Sequence, residues 1–258
     1  MSLSMSLSMS SSMSSSMSSS MSSSMSFNDW TTRRLALFLA CLFVSFSASI
    51  RSDSSAAFGA EPLVEPTDRL VLVGPTMIER MQHHGLLDTQ LALRTWGKLQ
   101  TRNLGWSGDT VFGISRAVFG TQEQGFGRLV NDIAQAKPTV VLLAYGRNEA
   151  HDGDTGIASF EAQYRLLAKT IVEKTEARLI FLQPRQIEWL GSPFPAPAPW
   201  NRNLEQYREI IRKIAADLDS PVIESTETDN WTLTANGLHP TPSGYLKYAS
   251  WLADQLLS

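Results

Sequence analysis

Cysteine is all but missing from this chain of 258 residues: Cys41 stands alone, which excludes an internal disulfide framework and any cysteine-rich zinc module. Histidine is scarce as well. Only His83, His84, His151 and His239 occur, little material for a histidine metal centre. An excess of basic charge is lacking too. The 22 Lys and Arg against 25 Asp and Glu leave a net charge of −3, which argues against the broad basic face of a nucleic-acid binder. With 43% hydrophobic and 18% charged residues, the composition is that of a folded globular protein, not a disordered one.

A further absence is local. Residues 1–26 repeat Met-Ser-Leu-Ser and Met-Ser-Ser-Ser, and hold seven of the nine methionines at a strict period of four. Serine supplies neither apolar area nor a helical stripe, so this low-complexity tract has nothing from which to build a core. It reads as an upstream extension with initiation near Met21 or Met25, a flexible adhesive arm being the alternative. Arg33-Arg34, an apolar run over 35–46 and small residues up to Ala60 follow. Basic region, hydrophobic stretch and small-residue exit are the parts of a secretory signal peptide. The run is too short for an ordinary membrane span, and Cys41 lies within it. Residues 27–60 are therefore assigned to a signal peptide and its exit segment. Residues 61–258 are then the mature domain, exported to the periplasm or the cell exterior, free of cysteine and without a membrane span.

Residues 61–258 are mildly acidic, long enough for one domain with a sizeable core, and interrupted by no repeat or long linker. Apolar runs at 70–73 and 139–145, each closed by glycine, predict strands buried on both faces. Shorter strands are expected near 99–103, 178–183 and 221–224. Helical spacing predicts helices at 76–84, 88–96, 129–136, 157–176, 204–218 and 245–257, with a loop marked by Pro184, Pro193, Pro195, Pro197 and Pro199. Strands alternating with helices imply an α/β fold: a doubly wound, flavodoxin-like three-layer sandwich around a central parallel sheet of about five strands.

In such sheets ligands bind beyond the carboxyl ends of the strands. Three polar segments follow candidate strands directly: Gly74-Pro75-Thr76, Ser107-Gly108-Asp109-Thr110 and Gly146-Arg147-Asn148-Glu149. A fourth, Asn236-Gly237-Leu238-His239, precedes the last helix. In type, order and spacing these four blocks resemble those of the SGNH, or GDSL-type, hydrolases, and the resemblance spans essentially residues 69–258. It implies an ester hydrolase in which position 76 carries the nucleophile and His239 is the general base. The orienting group for that base falls at Asn236. Gly108 (backbone N–H), Asn148 (side-chain amide) and the N–H of residue 76 would surround the carbonyl oxygen as it becomes an oxyanion. The substrate implied is a small-molecule or carbohydrate ester. No cofactor, metal or nucleic acid is called for.

Two positions depart from the family pattern. Thr76 stands where the family has serine. Threonine is a competent nucleophile when a base activates it, although its methyl stiffens χ1. Equally, Thr76 with Glu79 three residues on forms a T-x-x-E capping box. Asn236 replaces the aspartate, and an amide does not stabilise imidazolium as a carboxylate does; Glu224, Glu227 and Asp229 are the nearby carboxylates. A catalytically inactive, SGNH-like binding module for a glycan or acyl ligand is therefore the alternative to the enzyme. Lesser features point elsewhere only weakly. Ser107 reads as a turn serine, Glu79 with His83 as a solvated helix face, and Arg147 as either a rim ion pair or a grip on substrate. Gly125-Phe126-Gly127 lacks the third glycine of a dinucleotide loop, no G-x-S-x-G elbow occurs, and Pro75 breaks the run of N–H donors that a phosphate loop needs.

Overall fold

A computed structural model describes residues 61–225 and 233–258. The assignments of residues 1–26 and 27–60, and the carboxylates Glu227 and Asp229, lie outside the described residues. Strands β1 (Arg69–Val73), β2 (Gln100–Asn103), β3 (Val140–Leu143), β4 (Arg178–Leu182) and β5 (Val222–Ile223) pair in the order β2-β1-β3-β4-β5, every pair parallel. The helices are α1 (Thr76–Met81), α2 (Leu86–Thr95), α3 (Gln122–Gln135), α4 (Gly153–Thr175), α5 (Ala198–Asp217) and α6 (Pro242–Leu257).

The uninterrupted apolar runs are explained by what covers each face. Val71, Val73, Val141, Leu143, Leu179 and Phe181 pack into one buried cluster with side chains of α3, α4 and α5. Their alternates Leu70, Leu72, Val140, Leu142, Ile180 and Leu182 pack into a second cluster with α1, α2 and α6. Each such side chain contributes roughly 1.5–3 kcal/mol on burial, so a polar residue anywhere in 70–73 or in β3 would sacrifice one core or the other. The doubly wound three-layer sandwich follows. From β1 the chain moves outward to β2, then returns past β1 to β3, so the direction of winding reverses between β1 and β3. That reversal opens a crevice at their carboxyl ends.

Three helices begin four or more residues earlier than sequence spacing predicts. In α3 the cause is a capping box: Thr121 Oγ1 accepts from Gln124 N at 3.3 Å, and Gln124 Oε1 accepts from Thr121 N at 3.0 Å. Its Gly125 and Gly127 look like loop residues, yet a Cβ on Gly125 would lie 2.2 Å from the Gly113 carbonyl oxygen. This close approach, not flexibility, requires the glycine. In α5 Pro199 lies in the first turn, where a missing N–H costs nothing. In α4 the polar residues 153–156 add a turn ahead of the amphipathic part.

Candidate active site

Every loop that carries a block of interest leaves the sheet at its carboxyl edge. After β1, Pro75 is the N-cap of α1, its carbonyl accepting from Ile78 N at 2.9 Å and Glu79 N at 3.1 Å. Thr76 is therefore the first helical residue and caps nothing, which corrects the capping-box expectation. Glu79 is engaged elsewhere, accepting from Ser107 Oγ at 3.1 Å and lying 3.3 Å from His83 Nε2. Ser107, the turn serine, is thus tied to α1.

The hydroxyl of Thr76 instead faces the loop after β2, where Oγ1 accepts from the Gly108 N–H at 3.2 Å. Trp106 N bonds the Gly74 carbonyl at 3.0 Å, and Asn103 Nδ2 donates to the Ile78 carbonyl at 2.6 Å. Gly108 itself has φ +72°. This left-handed conformation turns its N–H toward Thr76 and is costly for any residue with a Cβ.

The loop after β3 is locked to the loop after β2. Asn148 Nδ2 donates to the Asp109 carbonyl at 2.8 Å. Buried Glu149 accepts from Val111 N at 2.8 Å and from Gly146 N at 2.9 Å. Asp109 is buried against Arg116, at 2.9 Å, and accepts from Tyr145 OH at 2.8 Å. Burial pushes the Asp109 carboxyl up against the pull of Arg116, and pushes the Tyr145 phenol far above its ordinary value. Glu149, Asp109 and Arg116 fix the backbone that presents Gly108 and Asn148. No role for them is legible in the sequence, although Asp109 stands in the second block and Glu149 closes the third.

Burial raises Glu149 from 4.5 to about 7. A folded-state pKa above the unfolded one means that its contribution is full below about pH 4.5 and is lost as pH rises through 7. The loss amounts to a few kcal/mol, on the order of 1.4 per pKa unit. Glu149→Gln, whose amide would set an N–H against a backbone N–H, is expected to be less stable at pH 5 and to lack this decline. Urea unfolding at pH 5 and pH 8 reads the difference; parallel pH dependences in the two proteins would refute the assignment.

The fourth block forms the turn into α6. Asn236 Oδ1 accepts from Leu238 N at 3.1 Å and His239 N at 2.9 Å, an Asx turn that fixes which end of the amide is oxygen. Asn236 Nδ2 consequently lies 3.0 Å from His239 Nδ1, nearer than Oδ1 at 3.3 Å. An amide nitrogen only donates, so Nδ1 of the neutral ring accepts and the ring proton sits on Nε2. Burial, then the charges of Arg80 and Arg147, hold His239 below the usual histidine range. Glu224 does not reach this ring: it accepts from Arg212 Nε at 2.9 Å.

A residue without any sequence signal holds this turn. Glu188 accepts from Leu233 N at 2.9 and 3.1 Å, Thr234 N at 2.9 Å and Thr234 Oγ1 at 2.6 Å, while its own N–H bonds the Gly237 carbonyl at 3.0 Å. Glu188→Gln places an N–H against these donors. It is expected to cost about 1–3 kcal/mol and several degrees of Tm by calorimetry; an unchanged Tm would refute the role.

Thr76, Asn148 and His239 line one cavity of about 110 Å³, with Arg147, His151 and Gln183 among its other walls. Gly108 joins them through Thr76 Oγ1, and Arg147 donates to the Arg185 carbonyl. The structure thus brings all four residues and Asn236 to one rim. Among the described residues no group of three His, Cys, Asp or Glu side chains is placed to hold a metal, and no helix is long and apolar enough to cross a membrane.

The model of the GDSL-like lipase/acylhydrolase family matches residues 80–247. No curated protein matches by sequence. Among solved structures, a putative GDSL-like lipase from Parabacteroides merdae superposes with a TM-score of 0.60 at 16% identity, covering 77% of this chain and 100% of that one. An acetyl xylan esterase gives 0.55 at 18%, covering 73% and 97%. The aryl esterase of M. smegmatis gives 0.54 at 13%, covering 73% and 97%. A gut microbial diltiazem-metabolizing enzyme gives 0.55 at 15%, and the match spans 76% of this chain but only 48% of that longer one. At these identities the structural likeness concerns the fold.

Proposed function

Because the chain belongs to the GDSL-like lipase/acylhydrolase family, we propose that it hydrolyses small or carbohydrate-linked acyl esters with Thr76 as nucleophile, after export across the membrane. The observation that carries this reading is the Gly108 N–H set on Thr76 Oγ1 at 3.2 Å, in a cavity that Asn148 and His239 also line. The ring first passes to its Nδ1–H tautomer, with Nδ1 donating to Asn236 Oδ1, 3.3 Å away, instead of accepting from Nδ2. Thr76 Oγ1 then attacks the acyl carbon as His239 Nε2 takes its proton. The carbonyl electron pair moves onto oxygen, where the Gly108 N–H, turning from Thr76, and the Asn148 amide receive it. Each such donor supplies about 3 kcal/mol. Collapse of the tetrahedral intermediate expels the alcohol, which takes the proton from His239. Water, deprotonated by the same ring, then releases the acid from the threonyl ester.

Hydrolysis of p-nitrophenyl acetate by the purified protein tests this. His239→Ala is expected to lower the rate by about 10²–10⁴-fold, and an unaffected rate would overturn the reading. Since His239 is held below its ordinary value of 6.5, the rate should rise with pH along a limb centred below 6.5 and then level off; a limb above 6.5 would exclude His239 as the titrating base. Export rests on the basic and apolar segments of residues 27–60. A chain begun at Met25 is expected to be exported and processed like the full chain, and loss of export on deleting residues 1–24 would refute that.

One observation favours the second reading, an inactive module binding a glycan or acyl ligand. With Asn236 Nδ2 on Nδ1, the His239 ring turns a proton, not a lone pair, toward the cavity. Absence of turnover in the natural protein, with binding of the ester intact, would establish this alternative.

A further inference from the structure

The proposed reaction leaves a second concavity on the same rim unused. The cavity beside Thr76 shares Met77, Arg147, Leu238, Pro240 and Tyr248 with a narrow cleft that runs over the 185–188 segment. Gln186 is a wall of that cleft and also of an open groove of about 620 Å³, whose other sides include Trp189, Pro197, Asn201, Arg202 and Glu205. The cleft itself has room for only about 10 Å³, so Gln186 stands between it and the groove, and a chain passing from the reaction cavity to the groove would cross the surface there.

We propose that the Trp189 groove is a subsite for a neutral carbohydrate chain, the part of an acylated glycan that extends beyond its ester. As to the ester, the proposal rests on the hydrolase reading; as to the sugar contact, it does not. Trp189 is 58% exposed, yet the chain beneath it is held on both sides. Asn201 bonds both polar groups of the Ile187 backbone, at 2.8 and 3.0 Å, and Glu188 is clamped to the turn of residues 233–237. A large indole on an anchored backbone provides a flat apolar platform at little entropic cost on binding. Its shape suits the C–H face of a pyranose ring. Around that platform stand an amide, Gln186, and two groups of opposite charge, Arg202 and Glu205. Glu205 is oriented by Arg208 at 3.0 Å and Arg212 at 3.2 Å. Such a border offers donors and acceptors to hydroxyls and no net charge to an ionic ligand. An acyl chain would meet Ala196, Pro197 and Ala198 beside Trp189 but would also lie against Arg202 and Glu205, whose desolvation opposes it. The groove volume lies within the range of about 300–1,000 Å³ that holds compact organic ligands.

Titration of the full chain with unesterified xylohexaose, followed by calorimetry and tryptophan fluorescence, tests the subsite without requiring turnover. Saturable binding with a change in indole emission is expected. Trp189→Ala should raise Kd at least about tenfold, on the order of the loss of one anchoring aromatic, and Trp189→Phe should recover part of it. His239→Ala should bind xylohexaose as the natural protein does. Absence of binding, or binding indifferent to Trp189→Ala, would overturn the subsite whether or not p-nitrophenyl acetate is hydrolysed. So would a Trp189→Ala protein impaired toward p-nitrophenyl laurate but not toward acetylated xylohexaose, since the groove would then hold the acyl chain. Xylohexaose bound through Trp189 in a protein that hydrolyses nothing would keep the subsite and refute the hydrolase.

Discussion

Asn236→Asp is expected to raise ester hydrolysis by about 10²–10⁴-fold. The Asx turn keeps Asn236 Oδ1 on Leu238 N and His239 N, at 3.1 and 2.9 Å, which leaves Nδ2 against His239 Nδ1 at 3.0 Å. A carboxylate in the same position keeps one oxygen for the turn and offers the other to Nδ1. The ring proton then moves to Nδ1, Nε2 gains a lone pair toward the cavity, and the imidazolium formed during attack is stabilised. In a serine protease triad the opposite change, aspartate to asparagine, costs about 10⁴ in kcat through the wrong tautomer. Steady-state hydrolysis of p-nitrophenyl acetate reads the gain, and ¹⁵N chemical shifts of the His239 ring read the tautomer. An Nε2–H ring in the natural protein that becomes Nδ1–H in the aspartate variant is the expected pair. A natural protein already in the Nδ1–H form would refute the account. If activity appears only in the Thr76→Ser, Asn236→Asp double variant, the natural chain is the binding module.

Thr76→Ala carries the second large effect, a loss of at least about 10³-fold, as expected when a nucleophile is removed and only binding and oxyanion donors remain. The fold should register little. Thr76 caps no helix, so the roughly 1 kcal/mol that a lost N-cap costs does not apply, and Tm should stay within a few degrees. Thr76→Ser should keep or raise the rate, because the same oxygen remains and the methyl that limits χ1 is gone. Hydrolysis unchanged by Thr76→Ala would remove the nucleophile assignment and leave the fold untouched. A large fall in Tm would mean that the Gly108 N–H contact is structural.

Much of the architecture was written in the linear pattern. Residues 70–73 and 140–144 are apolar at every position, and only a strand covered on both faces uses such a run, so the parallel sheet and its two helical layers follow from composition and period alone. The four polar blocks were legible for the same reason: in a parallel sheet each strand end reaches the same rim, so proximity in space follows from position relative to strands. Lost to the linear reading were the early starts of α3 and α5, where a capping threonine and a first-turn proline look like loop residues until the helix forms behind them.

What tertiary structure alone decided is the state of each side chain on that rim. Sequence left Thr76 equally a cap and a nucleophile; the location of the N-cap at Pro75 removes the first role, and Gly108 approaches its hydroxyl from a loop 32 residues away. Sequence showed an amide at Asn236; only its Asx turn determined which end of that amide meets His239. Glu188 and Arg116 carry no local pattern, and although Asp109 and Glu149 stand in two of the polar blocks, their roles were hidden because most of their partners come from other loops. Period and composition record which face of an element is buried, through a free energy that scales with area. Hydrogen-bond direction and protonation depend on a few tenths of an ångström between atoms distant in sequence, and those distances exist only after the chain has folded.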